Sequence, residues 1–375
     1  MWSQLLRLDE IKIQNFRKHS ELIFSPSEGI NLIFGPNGSG KTNILEAIHY
    51  CALTKGFNRT TDRQCMNFSA ESFLLKSLFT SDTGCQYRVH VDFSTNGGKS
   101  ISLNNSQLEK FSALIGLIPC ILFSPPEITI VHGSPQERRR FLDNALCQIS
   151  KSYLEQLLQY RRILQQRNAL LHSSWDRSSP APDMNIWTEL LAESGAFIIK
   201  ERMDFLDEFQ PYFSNAYAIL DTGEIPRLTY RSSLGKALVS SDRAGIADSL
   251  MHRFGEIQHQ EQVRKQTLLG PHRDEILFYL DGSDVKKYAS QGQTRTFLIA
   301  LKVALQRFLF DKKGEQSIFL LDDIFSELDQ RRVERVLEMI AGFGQSLITS
   351  TEKTGLSFLH EISIHDMLYK HGDPL

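Results

Sequence analysis

Residues Gly35 to Thr42 read GPNGSGKT, and this octapeptide restricts the fold more than any other stretch of the 375-residue chain. It fits G-x-x-x-x-G-K-[ST], the spacing of a loop that surrounds phosphate. Gly35, Gly38 and Gly40 allow backbone dihedrals that a side chain would forbid, so successive N–H groups can turn inward on an anion. Pro36, Asn37 and Ser39 complete the turn. Lys41 supplies a mobile charge for the β- and γ-phosphates, and the Thr42 hydroxyl is placed to ligate Mg²⁺. Ahead of the loop, Ile30-Asn31-Leu32-Ile33-Phe34 has strand character. Behind it, Leu45, Ile48, Ala52 and Leu53 recur at helical spacing. The loop therefore marks a strand-to-helix turn whose helix N-terminus faces the anion. A surface Gly/Ser loop lacks such flanks. The chain is expected to bind a nucleoside triphosphate.

Charge sets the next limit. Lys plus Arg (42) nearly balance Asp plus Glu (44), a net charge of −2, which excludes a strongly basic DNA-coating protein but not a local basic face. Cys51, Cys65, Cys85, Cys120 and Cys147 form no C-x-x-C pair, so reduced, buried thiols are expected in place of disulfides or a zinc site. The N-terminal residues lack a signal-peptide pattern, and no apolar run approaches the roughly twenty residues a membrane span needs. A cytoplasmic protein without membrane contact is expected.

The first hundred or so residues look β-rich. Tyr87, Val89, Val91 and Phe93 alternate with polar residues, and Asn96-Gly97-Gly98 supplies a turn before a second strand over Ser100 to Leu103. A further strand over Ile118 to Phe123 ends at Ser124-Pro125-Pro126. From Gln136 to about Leu171 there is neither glycine nor proline, and the apolar spacing predicts a long helix broken once near Ser150-Lys151-Ser152. A second helix is predicted from about Ile186 to Phe209. The last ninety residues return to strand, helix, strand: Ile318 to Leu321, Leu328 to Ile340 and Gln345 to Thr349. That order implies a parallel sheet.

Asp322 and Asp323 end the apolar strand and emerge at the edge of the sheet where α/β ligands bind. The first carboxylate suits a Mg²⁺ site, and the second is placed to polarise water attacking the γ-phosphate. A helix-capping aspartate is the simpler reading of such a pair in isolation, and the Gly35–Thr42 loop in the same chain decides against it. Upstream, Ser290-Gln291-Gly292-Gln293 precedes a helix with Phe297, Leu301, Ala304 and Phe308 on one face; Ser290 alone reads as a cap.

The motifs S-x-G-Q at Ser290–Gln293 and Ser326-Glu327-Leu328-Asp329 resemble the signature and D-loop of ABC-type ATPases. Together with Asn15-Phe16-Arg17, Gly133-Ser134-Pro135, Arg138-Arg139-Arg140-Phe141-Leu142-Asp143 and Gly270-Pro271-His272-Arg273-Asp274, they resemble the RecF family, relatives of the heads of SMC proteins. The resemblance spans essentially the whole chain. It implies an α/β, ABC-type P-loop ATPase head of β-rich and parallel-sheet character, with an inserted mostly α-helical lobe and no long coiled coil. The expected division is 1–115 and 285–375 for the ATPase lobe and 116–284 for the helical lobe. It further implies ATP and Mg²⁺ as cofactors, and an ATP-dependent homodimer in which Ser290, Gly292 and Gln293 of one protomer complete the partner's site. DNA at gaps and single-strand/double-strand junctions is the implied substrate, with RecR and RecO as partners in loading RecA.

Two departures from the ABC pattern matter. Asp323 stands where glutamate is common, one methylene shorter, which predicts slow turnover. Thr349-Ser350-Thr351 stands where transporter ATPases carry a histidine sensor, and threonine hydroxyls are expected to substitute in part. Arg138–Arg140 and Arg161-Arg162 read as solvated helix faces. Arg17, Arg59, Lys76, Lys99 and Lys110 are candidates for a phosphate-tracking face, and His272 and Arg273 for nucleotide-site architecture or the contact between lobes. Two other classes fit the motifs less well. A transporter's ATPase subunit is disfavoured by the missing histidine, and a small-molecule kinase has no need of S-x-G-Q.

Overall fold

The structure, a computed structural model, describes residues 6–57, 60–81, 83–173, 184–220, 223–238, 240, 242–327, 330–353 and 359–369. The chain forms two compact units, one of residues 1–128, 212–224 and 289–375, the other of 129–211 and 225–288.

The first unit holds two sheets. Strands that alternate buried and open positions make a six-stranded antiparallel sheet in the order His19–Phe24, Arg7–Phe16, Ser72–Thr80, Gln86–Ser94, Gly98–Leu103 and Ser106–Gln107. Phe73, Leu75, Phe79, Val89 and Val91 point to the same core. The rings of Phe16 and Tyr50 meet Phe73 edge-on, with centroids 5.2 and 5.7 Å from it. The second sheet is parallel and five-stranded, ordered His360–Ser363, Ile30–Phe34, Ser346–Ser350, Ile318–Leu321 and Cys120–Phe123. Every residue of the last three of these strands is buried, the pattern of strands covered on both faces.

Helix Lys41–Leu53 packs on the antiparallel sheet through Ile44, Leu45, Ile48, Cys51 and Ala52. Helix Gln291–Lys313 differs from the one-sided helix its spacing predicts. It is buried on all sides from Phe297 to Gln306, because the polar residues off the predicted face are covered too: Lys302 donates to Glu127 at 2.7 Å, and Gln306 to the carbonyls of Ser317 at 2.8 Å and Phe343 at 3.0 Å. The helix predicted to end at Phe209 runs on as Met184–Ile219, straight through Pro211. Proline removes one N–H there, and the buried rings of Phe209, Phe213 and Tyr217 hold the turns on either side.

The second unit is mostly helical around a three-stranded sheet ordered Ser283–Asp284, Glu275–Leu280, Pro226–Arg231. The predicted break falls at Ser150, whose extended backbone separates helices Pro135–Ile149 and Lys151–Ser173. Its interior is tied by buried ion pairs. Arg167 donates to Glu261 at 2.6 Å and to Thr267 at 2.8 Å. Arg202 donates to Asp143 at 2.8 Å and to the Pro271 carbonyl at 2.7 Å. Both pairs are nearly inaccessible, so loss of either partner would leave an uncompensated buried charge.

Four cysteines are buried as expected, but Cys85 is exposed, since it lies in the turn between strands Ser72–Thr80 and Gln86–Ser94. Among the described residues no helix is long and apolar enough to cross a membrane.

Candidate nucleotide site

The strand Ile30–Phe34 delivers the chain to the loop, and helix Lys41–Leu53 leaves it with Gly40 as N-cap. Gly40 has φ 102°, and a Cβ built on it would lie 2.6 Å from the His19 ring. Only glycine fits there. The same ring bonds the Gly40 carbonyl through Nε2 at 3.0 Å, while Lys18 donates to the Gly38 carbonyl at 2.5 Å. The turn between the first two strands thus props the loop from outside. Burial pushes the His19 imidazole below its usual range, and the neighbouring Lys18 charge adds to this, so the ring is neutral near pH 7.

The loop closes on its own lysine. Lys41 Nζ donates to the carbonyls of Gly35 at 2.6 Å and Pro36 at 2.8 Å. Burial lowers the ammonium's proton affinity, while the Asp323 and Asp322 carboxylates raise it. An arriving phosphate offers this cation a charged acceptor in place of two neutral ones.

Across from the loop, at the end of Ile318–Leu321, Asp322 accepts from Thr42 Oγ1 at 2.8 Å and from Thr349 Oγ1 at 2.7 Å. Burial nevertheless holds the Asp322 carboxyl above the usual range. A buried carboxylate short of positive charge, beside a hydroxyl, is a donor set of hard oxygens that suits Mg²⁺. Thr42 and Asp322 are the residues that would hold it, and the ion would neutralise charge on bound phosphates. Asp323 adopts φ 51°, an uncommon left-handed conformation, and its N–H donates to Thr349 Oγ1 at 3.0 Å. One hydroxyl therefore ties the Asp322 carboxylate to the Asp323 backbone.

Lys41, Thr42, Asp322, Asp323 and Thr349 are thus brought together from segments some three hundred residues apart in sequence. Ser290 forms a capping box: it accepts from the Gln293 N–H at 3.2 Å, and Gln293 accepts from the Ser290 N–H at 2.7 Å. Gln293 also donates to Glu224. Gly292 has room for a Cβ, whose one neighbour within 4 Å would be Arg332 Nη1 at 3.9 Å. The side chains of the expected D-loop, Ser326 to Asp329, lie outside the described residues.

Several basic residues stand elsewhere than expected. Arg17 forks onto Glu46 with two bonds of 2.7 Å, and Lys99 lies on Asp62, Tyr50 and the Thr54 carbonyl, so neither joins an open phosphate face. Lys76 and Lys110 are exposed, and Arg59 is outside the described residues. His272 bonds Tyr160, and Arg273 bonds Gln266 and the Thr267 carbonyl, partners that all lie in the second unit. His19, Lys18 and Thr349's double role were missed in the sequence. Only Thr349 left a signal there, as a hydroxyl on the strand after the acidic one.

A model of the RecF/RecN/SMC N terminal domain matches residues 7–367. The chain is 50% identical over 363 residues to the DNA replication and repair protein RecF of Chlorobium phaeobacteroides (strain BS1), covering 97% of this chain and all of that protein. It is 37% identical over 351 residues to the RecF of Salinibacter ruber, covering 92% of this chain and 85% of that one. A solved structure of the recombination mediator protein RecF with ATP aligns with a TM-score of 0.89 at 32% identity, over 95% of each chain. An Smc head bound to the C-winged helix domain of ScpA aligns at 0.52 and 16% identity, a likeness of fold.

Proposed function

The chain belongs to the RecF family, and from that membership and the site's geometry we propose that it is an ATP-binding and ATP-hydrolysing mediator of DNA replication and recombinational repair. One observation carries the reading. The loop's Thr42 and the strand-end Asp322 meet at 2.8 Å, the two oxygens between which a nucleotide-bound Mg²⁺ belongs. In this proposal Gly35 to Thr42 cradle the phosphates, Lys41 bridges the β- and γ-groups, and Asp323 polarises the attacking water. Its short side chain and strained backbone suit slow turnover.

Two protomers joined by ATP complete the machine. Ser290, Gly292 and Gln293 present a helix N-terminus to the γ-phosphate held by the partner copy, and two composite sites form around a two-fold axis. Gly292 supports this: glycine in a helix costs about 1 kcal/mol against alanine, and its neighbours leave ample space for a methyl group. A backbone bared there suits close approach by a second chain. The dimer binds DNA at gaps and single-strand/double-strand junctions through phosphate contacts, and works with RecR and RecO in loading RecA.

Sedimentation with ATP and Mg²⁺ tests the proposal. The unmodified protein should dimerise, Lys41→Ala should stay monomeric with its nucleotide binding largely lost, and Ser290→Arg should bind nucleotide yet stay monomeric. A full ATP-induced dimer of Ser290→Arg would reduce Ser290 to a helix cap.

A further inference from the structure

The arginines of the Arg138–Arg140 run and the Arg161-Arg162 pair are left unused by the nucleotide site, and most of them converge on one cavity of the second unit. Arg138 is structural: it is buried and paired with Glu275 at 2.7 Å. Its two successors turn the other way. Arg139, Arg140, Arg161 and Arg202 line a cavity of about 230 Å³ enclosed by helices Pro135–Ile149, Lys151–Ser173 and Met184–Ile219 and by the Pro271-His272 turn.

Three of these guanidiniums are held in place. Arg202 is fixed by Asp143 and the Pro271 carbonyl. Arg139 donates to the Asp274 carbonyl at 2.6 Å, and Arg140 to Glu137 at 3.2 Å. Arg161 reaches in from the rim, 3.8 Å from Asp143, with 61% of its side chain exposed. Against four cations stand three nearby carboxylates, Asp143, Glu137 and, outside the lining, Asp274, which leaves an excess of one positive charge. Arg139 has its proton affinity lowered first by burial and then by Arg202, against the opposing pull of Asp274 and Asp143. His272, bonded to Tyr160 at 2.5 Å, is held neutral by burial and adds nothing to that excess.

Beside these charges the wall carries an aliphatic patch of Leu157, Leu164 and Ile198, bordered by Gln136, Tyr160 and Pro271. That mixture decides the ligand. A nucleic-acid backbone is followed by cations spread along an open surface, and it has no group that gains from an aliphatic recess. A carboxylate matches the guanidinium fork, and a neighbouring apolar side chain gains from the wall. We propose that this cavity is a docking socket for an acidic peptide, taking an aspartate or glutamate side chain flanked by an apolar residue of a partner polypeptide. The inference is independent of the nucleotide reading, since none of these residues belongs to the first unit.

Fluorescence anisotropy on the full chain tests it, with a labelled decapeptide alternating aspartate and leucine as probe and its asparagine–leucine counterpart as control. The acidic peptide should bind and the control should not. Arg161→Glu should weaken binding tenfold or more, Arg140→Glu likewise, with ATP binding unchanged in both. Should Arg161→Glu lower the melting temperature, Arg161→Gln replaces it, with at least a threefold loss expected. Failure of the acidic peptide to bind the unmodified chain would overturn the proposal, as would equal binding by the variants. Displacement of the peptide by a single-stranded oligonucleotide, with oligonucleotide affinity falling in the same variants, would assign the cavity to nucleic acid and overturn it too.

Discussion

The nucleotide loop of the first unit and the arginine cavity of the second concentrate positive charge by opposite means. In the loop one ammonium of its own, Lys41, stands amid backbone groups, with Lys18 propping the loop from outside, and the curvature of eight consecutive residues shapes the site. In the cavity the backbone contributes little, and four guanidiniums from three helices do the shaping, steadied by partners such as Asp143 and Asp274. A site made of backbone depends on local conformation and on glycine. One made of side chains depends on the buried pairs beneath it, so the stability of its scaffold and its binding capacity cannot be separated.

Substitutions that separate these two dependences test the contrast. The largest effect is expected from Arg202→Ala, which strands Asp143 in the interior and should cost about 3–5 kcal/mol, read as an earlier denaturation midpoint for the second unit. An unchanged midpoint would mean that the cavity does not rest on that pair. Lys41→Ala should do the reverse, lowering ATP affinity about 100-fold, or about 2.7 kcal/mol, while stability changes little. Equal losses of both would show that the lysine also holds its loop together.

Acid supplies a third test. His49 in the first unit and His272 in the second are both pushed down to about 4 by burial, from an ordinary value of 6.5. The unfolded chain therefore binds more protons between those values. The stability each ring contributes is whole above pH 6.5 and is lost as pH falls toward 4, about 2 kcal/mol per histidine by pH 5. Denaturation of His49→Gln and His272→Gln across that range should flatten the pH dependence of one unit at a time; curves that remain parallel to the unmodified protein's would refute the assignment.

The smallest change expected is for Gly40→Ala, about 1–3 kcal/mol from a methyl group forced against His19 and an unfavourable φ. The double variant His19→Ala/Gly40→Ala should recover only the steric part, measured as nucleotide affinity and midpoint together. Full recovery would show that the backbone at Gly40 relaxes freely.

The contrast also explains what could be read in the sequence. The phosphate loop, its strand and its helix are contiguous, so spacing alone located them, and the all-apolar run Ile318–Leu321 announced a strand covered on both faces. Periodicity stopped short where packing overruled it, at Pro211 and on the covered flank of Gln291–Lys313. His19 was invisible because its target is a carbonyl, and carbonyls carry no sequence signature. The cavity was invisible for a different reason: its residues lie in four separate runs, and the Arg138–Arg140 run divides between a buried structural pair and the cavity wall according to helix rotation. Arg17 and Lys99 show the converse, charges that looked available and proved to be satisfied within the fold.

The strand that feeds the phosphate loop has a further consequence, for biosynthesis. Ile30–Phe34 finds its neighbours on both sides, Ser346–Ser350 and His360–Ser363, more than three hundred residues later in the chain. At translation rates of about 5–20 residues per second, the strand waits roughly a quarter of a minute to a minute on the ribosome before either partner exists. During that interval an apolar segment with unpaired edges is among the earliest parts of the protein to emerge, and it must be sheltered by the antiparallel sheet, whose strands all lie within the first 107 residues, or by a chaperone. The nucleotide site is therefore among the last features of the molecule to be completed, although its signature is among the first to be translated.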